Sequence, residues 1–171
     1  REHFYSYFAN LHYETYDNAY FPSNGVKFHG SYSLNTDNFL EYKDDTPFSI
    51  VSGSFEGVVP ITNRFSILPA VHGRLIFGKN IPFSKMNFMG GDIMERYLPE
   101  QLPFAGTTQV ELMDNSLLIG ALKLRQRIGN IHYLTFTGNY ALSSHKIKNI
   151  LKEKNMFGCA ITYGMDSMFG P

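Results

Sequence analysis

Leu118-Ile-Gly-Ala-Leu122-Lys123-Leu124-Arg125-Gln-Arg127-Ile128 decides the fold. Leu118, Leu122, Leu124 and Ile128 share one face, and Lys123, Arg125 and Arg127 share the other. A period of two is the signature of a β-strand, because successive side chains point to opposite sides of the pleat. One side of this strand is built for an apolar medium and the other for charge.

The same rule runs outward in both directions. Upstream, Tyr5, Tyr7, Ala9, Leu11 and Tyr13 oppose Ser6, Phe8, Asn10 and His12. Val26, Phe28, Gly30, Tyr32 and Leu34 oppose Lys27, His29, Ser31 and Ser33. Two further apolar faces are Val51, Phe55, Val59, Ile61 and Phe65, Ile67, Val71, Leu75, Phe77. Downstream come Leu134, Phe136, Tyr140, Leu142 and Phe157, Cys159, Ile161, Tyr163, Met165. The pattern predicts about seven strands, each longer than the roughly 5–6 residues usual in globular proteins. Lys27, Glu56, Arg74, Lys123, Arg125, Arg127 and Asp166 all fall on polar faces. The apolar faces carry no Asp, Glu, Lys or Arg. That separation fits strands that face lipid on one side, where a charge costs roughly 2–4 kcal/mol near the bilayer midplane.

Composition bounds the alternatives. The chain has 171 residues, 43% hydrophobic and only 18% charged, against the roughly 25% usual for soluble domains. Lys plus Arg equals Asp plus Glu at 15 each, which argues against a nucleic-acid binder. A single cysteine, Cys159, excludes an internal disulfide framework and a cysteine zinc site. It lies on an apolar face, where a thiol is expected to be inert. No apolar run approaches the roughly 18 residues of a membrane helix, which leaves a membrane barrel open. Both ends read as cut. Arg1-Glu-His-Phe has no signal-like apolar core, and the chain stops at the turn-like Gly170-Pro171.

Connection lengths alternate. Phe21-Pro-Ser-Asn-Gly25, Thr62-Asn63, Gly129-Asn130 and Gly170-Pro171 are short. Residues 36–47, about 79–115 and 143–155 are long. Short turns on one side and long loops on the other are the order of an outer-membrane barrel. Connections as long as 79–115 are uncommon and usually functional. Ile147, Ile150 and Leu151 suggest a short helix in the last loop. Tyrosines gather toward strand ends, which suits a membrane interface.

Enzyme motifs are missing. The nearest approach to G-x-S-x-G is Gly53-Ser-Phe-Glu-Gly57, with the serine one place early. There is no P-loop, dinucleotide fingerprint or H-E-x-x-H. No metal or other cofactor is expected: His12, His29 and His72 sit on polar faces and would have to converge to bind one. Lys123, Arg125 and Arg127 read either as an anion-attracting wall or, more simply, as ion-pair partners of Glu56, Glu14 or the long loop.

Three strings carry a resemblance. Tyr20-Phe-Pro-Ser-Asn-Gly-Val26 resembles the Phe-Pro-x-x-Gly turn of the BamA/TamA outer-membrane barrel family (bacterial surface antigen). Phe88-Met-Gly90-Gly91, followed by Arg96, resembles that family's lumenal-loop motif. Asp166-Ser-Met-Phe-Gly-Pro171 resembles its turn before the last strand. The resemblance implies an all-β fold, an antiparallel transmembrane β-barrel in the bacterial outer membrane. Residues 1–171 would be a single partial domain, the C-terminal part of a barrel of about sixteen strands with its final strand missing. The 79–115 loop would fold into the lumen. Gly90, Gly91 and Arg96 would be its anchor motif, with Glu56, Arg74, Lys123, Arg125, Arg127 and Asp166 as candidate wall groups. The family's acidic partner for the arginine falls near Thr137 or Asn139, neither of which is charged, so Glu56, Glu95 and Glu111 are alternatives.

A narrower resemblance, over 96–106, 155–159 and 169–171, is to barrels fused behind patatin-like phospholipases in Bacteroidota-type bacteria. It implies a hydrolase N-terminal to the barrel and no catalytic residue in this chain. The implied partners are outer-membrane lipid, the remaining strands of the barrel, and a polypeptide or lipid substrate. The alternative from residues alone is a soluble β-sandwich or small barrel that binds an apolar ligand.

Overall fold

The structure, a computed structural model, describes residues 5–36, 47–79, 81–91, 101–108 and 110–166. Seven long strands form one antiparallel sheet: β1 (Tyr5–Glu14), β2 (Gly25–Thr36), β3 (Phe48–Thr62), β4 (Phe65–Phe77), β8 (Ser116–Ile128), β9 (His132–Ser144) and β10 (Lys154–Met165). Their order in the sheet is their order in the chain, β1-β2-β3-β4-β8-β9-β10. The expected strands are all present. Tight hairpins fall at residues 63–64 and 129–131, where two of the short connections stand; the turn expected at Phe21–Gly25 is a longer span, 15–24, and Gly170-Pro171 lies outside the described residues. Among the described residues, β1 and β10 each pair on one side only.

Burial is inverted relative to a water-soluble sheet. Val51, Phe55, Val71, Leu122, Phe136, Tyr140, Phe157 and Ile161 are exposed on one face. Ser54, His72, Arg125, Thr137, Asn139 and Ser143 are buried on the other. A sandwich or a soluble ligand barrel buries its apolar faces, so this pattern corrects the soluble alternative. Among the described residues, no helix is long and apolar enough to cross a membrane.

The inner face is not uniformly polar. Toward the loop ends of the strands, Phe48, Ile50 and Ile76 form one apolar cluster with Ile81. Leu117, Ile119 and Ala141 form another with Met89, Leu102 and Phe104 from the long loop. The sequence carried a mark of this. Leu117-Leu118-Ile119 is apolar at consecutive positions, so both faces of β8 must be covered there.

The long connection also departs from expectation. Its described residues hold a second sheet of three short strands, β5 (Asn87–Met89), β6 (Gln101–Leu102) and β7 (Leu112–Asp114), in the order β6-β5-β7. A 3-10 turn at Phe83–Lys85 precedes it. The helix expected around Ile147 is a single 3-10 turn, Ile147–Asn149. Leu151 beyond it is exposed, so the apolar spacing there has no core to serve.

Candidate functional site

The site is the inner wall and what rests on it. Two groups of residues meet that wall, one at each end of the strands.

At the loop end, the second sheet seats on β8, β9 and β10. Phe104 and Met89 are fully buried against Leu117, Ile119 and Ala141. The seat depends on a missing side chain. A Cβ at Gly158 of β10 would lie 2.5 Å from the Phe104 ring and 2.7 Å from the Ala105 carbonyl oxygen. Gly106, with φ at 95°, packs equally tightly on the backbone of Cys159. The Asn139 side-chain amide donates to the Ala105 carbonyl at 2.7 Å and to that of Gly158 at 3.3 Å. Asn87, fully buried, donates at 2.8 Å to the carbonyls of both Arg74 and Asn115, and accepts from the Arg74 guanidinium. Arg74 also donates to the Lys85 carbonyl at 3.1 Å.

Gly90 and Gly91 belong to this seat. Gly91 adopts φ of 71°, a left-handed conformation that favours glycine, and its carbonyl accepts from the Phe104 amide at 2.6 Å. The Gln101 side chain donates to the Gly90 carbonyl at 2.6 Å. The glycine pair thus folds the loop onto its own strand β6. Arg96 and Glu95 lie outside the described residues. Glu111 accepts from the Thr108 hydroxyl at 3.0 Å, within the loop itself.

The six wall candidates do not converge on one point. Arg74 meets the loop through Asn87 and Lys85. Glu56 lies half-buried between Lys27 and Ala70 of the neighbouring strands. Lys123 faces Leu68 and Thr137. Arg127 donates to the Asn130 carbonyl at 2.8 and 3.2 Å, capping its own hairpin. Asp166 follows β10, its amide donating to the Ile131 carbonyl at 2.7 Å. Arg125 donates to the Pro22 carbonyl, 103 residues away. Arg125 and Arg127 therefore serve backbone carbonyls, where sequence favoured carboxylates.

The Arg125 contact belongs to the second group, the turn between β1 and β2. Asn18 accepts from the amides of Tyr20 and Phe21 at 2.9 and 3.1 Å. Asp17 accepts from the amides of Ser23 and Asn24 at 2.7 and 3.2 Å, and from the Ser23 hydroxyl. So held, the turn lays Phe21 flat on Tyr133 of β9, ring centroids 4.2 Å apart and planes 6° from parallel. Arg125 also lies over the Tyr133 ring, 5.7 Å from its centroid. The Ser23 hydroxyl, then the Ser23 and Asn24 amides, hold the Asp17 carboxyl below its ordinary range. Burial, reinforced by Glu56 and Glu14, pushes the Tyr16 phenol up to about 12. Sequence identified this turn by resemblance and gave no sign of where it docks.

His12 and His29 lie on the inner wall with ring centroids 6.1 Å apart, and Ser54 separates His29 from His72 along the sheet. Among the described residues, no three metal-binding side chains come together.

No curated protein matches the chain. The family model of the OMP85 superfamily matches residues 1–171. An uncharged apolar outer face and a largely polar inner face fit the strands of such a barrel. The chain therefore belongs to the OMP85 superfamily and is a bacterial outer-membrane β-barrel domain.

Proposed function

We propose that residues 1–171 are the C-terminal part of a larger barrel, whose remaining strands pair with the free edges of β1 and β10. An unpaired strand edge is not tolerated in lipid, because each open backbone group costs several kcal/mol. The domain is non-catalytic. It acts as the membrane anchor, or the translocation or insertion pore, of a larger protein, and the 79–115 loop is the plug of its lumen. Arg96 pins that plug as a further anchor beside Asn87. The bound or transported substrate is a polypeptide or a lipid.

The observation that carries this reading is the seating of Phe104 and Met89 on an inner wall whose outer side is uncharged. A loop placed this way obstructs a lumen and leaves the lipid face intact. Between the two finer roles, the narrower sequence resemblance favours the anchor of a patatin-like phospholipase over an outer-membrane assembly factor. Phospholipid hydrolysis by the full-length protein, recovered from outer membranes, is the expected result. A full-length protein without hydrolysis, whose depletion lowers the level of other outer-membrane barrels, would instead identify the assembly factor. Recovery of the full-length protein in the soluble fraction would overturn both.

A further inference from the structure

The β1–β2 turn does more than connect two strands. Its ten-residue span, 15–24, lies on the side of the sheet that otherwise carries tight hairpins. A hairpin there needs only two or three residues, as Asn63-Arg64 shows. The extra length is spent reaching over the inner face, to Tyr133 and Arg125.

Where it lands is built to receive it. Arg125 is only 7% exposed and directs its guanidinium at the Pro22 carbonyl. Tyr133 offers its ring face to Phe21. Gly164 of β10 leaves space on the other side, since a Cβ there would lie 3.0 Å from the Phe21 ring. Arg125, Tyr133 and Gly164 are all on the inner face, close to the turn ends of β8, β9 and β10. Upstream, the Asp17 and Asn18 side chains fix the turn backbone, so the crossing shape is set locally. Pro22 itself is buried.

We infer that residues 15–24 form a floor across the turn-side mouth of the lumen, latched by Phe21 on Tyr133 and by Pro22 on Arg125. The floor is separate from the seat of Met89, Leu102 and Phe104, which lies at the opposite end of the same strands. Turns of such barrels face the periplasm, so the floor controls access from that side. A solute or chain segment approaching from the periplasm meets the latched turn first and must release it to reach the wall at Lys123. This inference rests on the barrel reading proposed above.

The test uses the full-length protein in outer membranes. Lys123→Cys in a Cys159→Ser background places one thiol on the inner wall of the described region. A charged, membrane-impermeant thiosulfonate reagent is applied to membranes open on both sides and, separately, to intact cells, which expose only the loop side. The difference reports access through the turn-side mouth. Phe21→Ala is expected to raise that rate about five- to tenfold, the equivalent of losing one aromatic pair. Gly164→Ala, which displaces Phe21 without removing it, is expected to act in the same direction. Tyr133→Phe keeps the stacking face and stays within about twofold of the parent. Equal rates in the parent, Phe21→Ala and Gly164→Ala would overturn the floor. Cys159 in the otherwise natural sequence separates this failure from failure of the barrel: a lipid-soluble maleimide should reach it and the charged reagent should not. If the charged reagent labels Cys159 freely, the barrel reading fails and the floor with it.

Discussion

Asn139 on β9 donates its side-chain amide to the Ala105 carbonyl at 2.7 Å, and it is one of the two wall positions, with Thr137, near which the family resemblance puts an acid. The loop is thus held there by a neutral donor reaching a backbone acceptor. The Ala105 and Gly158 carbonyls both accept from this amide. Asn139→Asp supplies an acceptor instead. The expected result is release of the loop, with a loss of about 2–3 kcal/mol in its seating. Asn139→Ala should cost less, about 1–2 kcal/mol. Hydrogen exchange at the amides of residues 101–106 in the full-length protein measures both.

Gly158 is the second test of the same seat. A methyl group there meets the Ala105 carbonyl, which is backbone and cannot swing aside. Gly158→Ala is expected to lift Phe104 out of its cluster and expose residues 101–108 to protease. The strand itself should persist, because alanine is tolerated in β10. Unchanged protection of Phe104 would show that β10 can yield, and that the glycine is not what makes the seat.

How much of this was legible follows from distance along the chain. The long strands announce themselves, because alternation such as Lys123, Leu124, Arg125 is local and survives any tertiary context. The loop strands β5, β6 and β7 span two or three residues, too short for a period to register. Gly158 looked like any strand glycine. Its purpose comes from Phe104, a partner set by the strand register and invisible to spacing. Arg125 was seen to face inward, yet its acceptor is 103 residues away and depends on how tightly the sheet curls. Leu117 and Ile119 were readable in principle from the lapse in alternation at the start of β8.

The outer face makes a separate prediction. Phe136 lies near the middle of β9 with its ring outward, and is 45% exposed. Phe136→Arg is expected to destabilise the folded barrel by about 2–4 kcal/mol, the cost of a cation near the bilayer midplane. Thr162→Arg, on the opposite face of the adjacent strand, should cost under about 1 kcal/mol. Denaturant titration of the full-length protein in lipid vesicles compares them. Equal penalties would reverse the assignment of the two faces.

The turn carries a pH dependence whose sign follows from Asp17. Its carboxyl is held below the ordinary 3.8 by the Ser23 hydroxyl and by the Ser23 and Asn24 amides. A depressed carboxyl contributes stability above pH 3.8 and loses it as pH falls from there through the folded-state value. Tyr16 runs the other way. Its phenol is raised from 10.0 to about 12, so the turn is favoured below pH 10 and loses that contribution between 10 and 12. Amide exchange at Ser23 and Asn24, corrected for intrinsic rates, should show an acid step that Asp17→Asn abolishes. A step of the same size in Asp17→Asn would assign it to another group.

Gly158 and Cys159 come late in the chain, and Phe104 and Gly106 come early. The guest is therefore synthesised before its seat. Contacts separated by more than 50 positions close slowly, because the intervening chain must first be ordered. The loop cannot settle until β9 and β10 stand beside β8. The loop strands consequently seat only as the β9–β10 hairpin arrives.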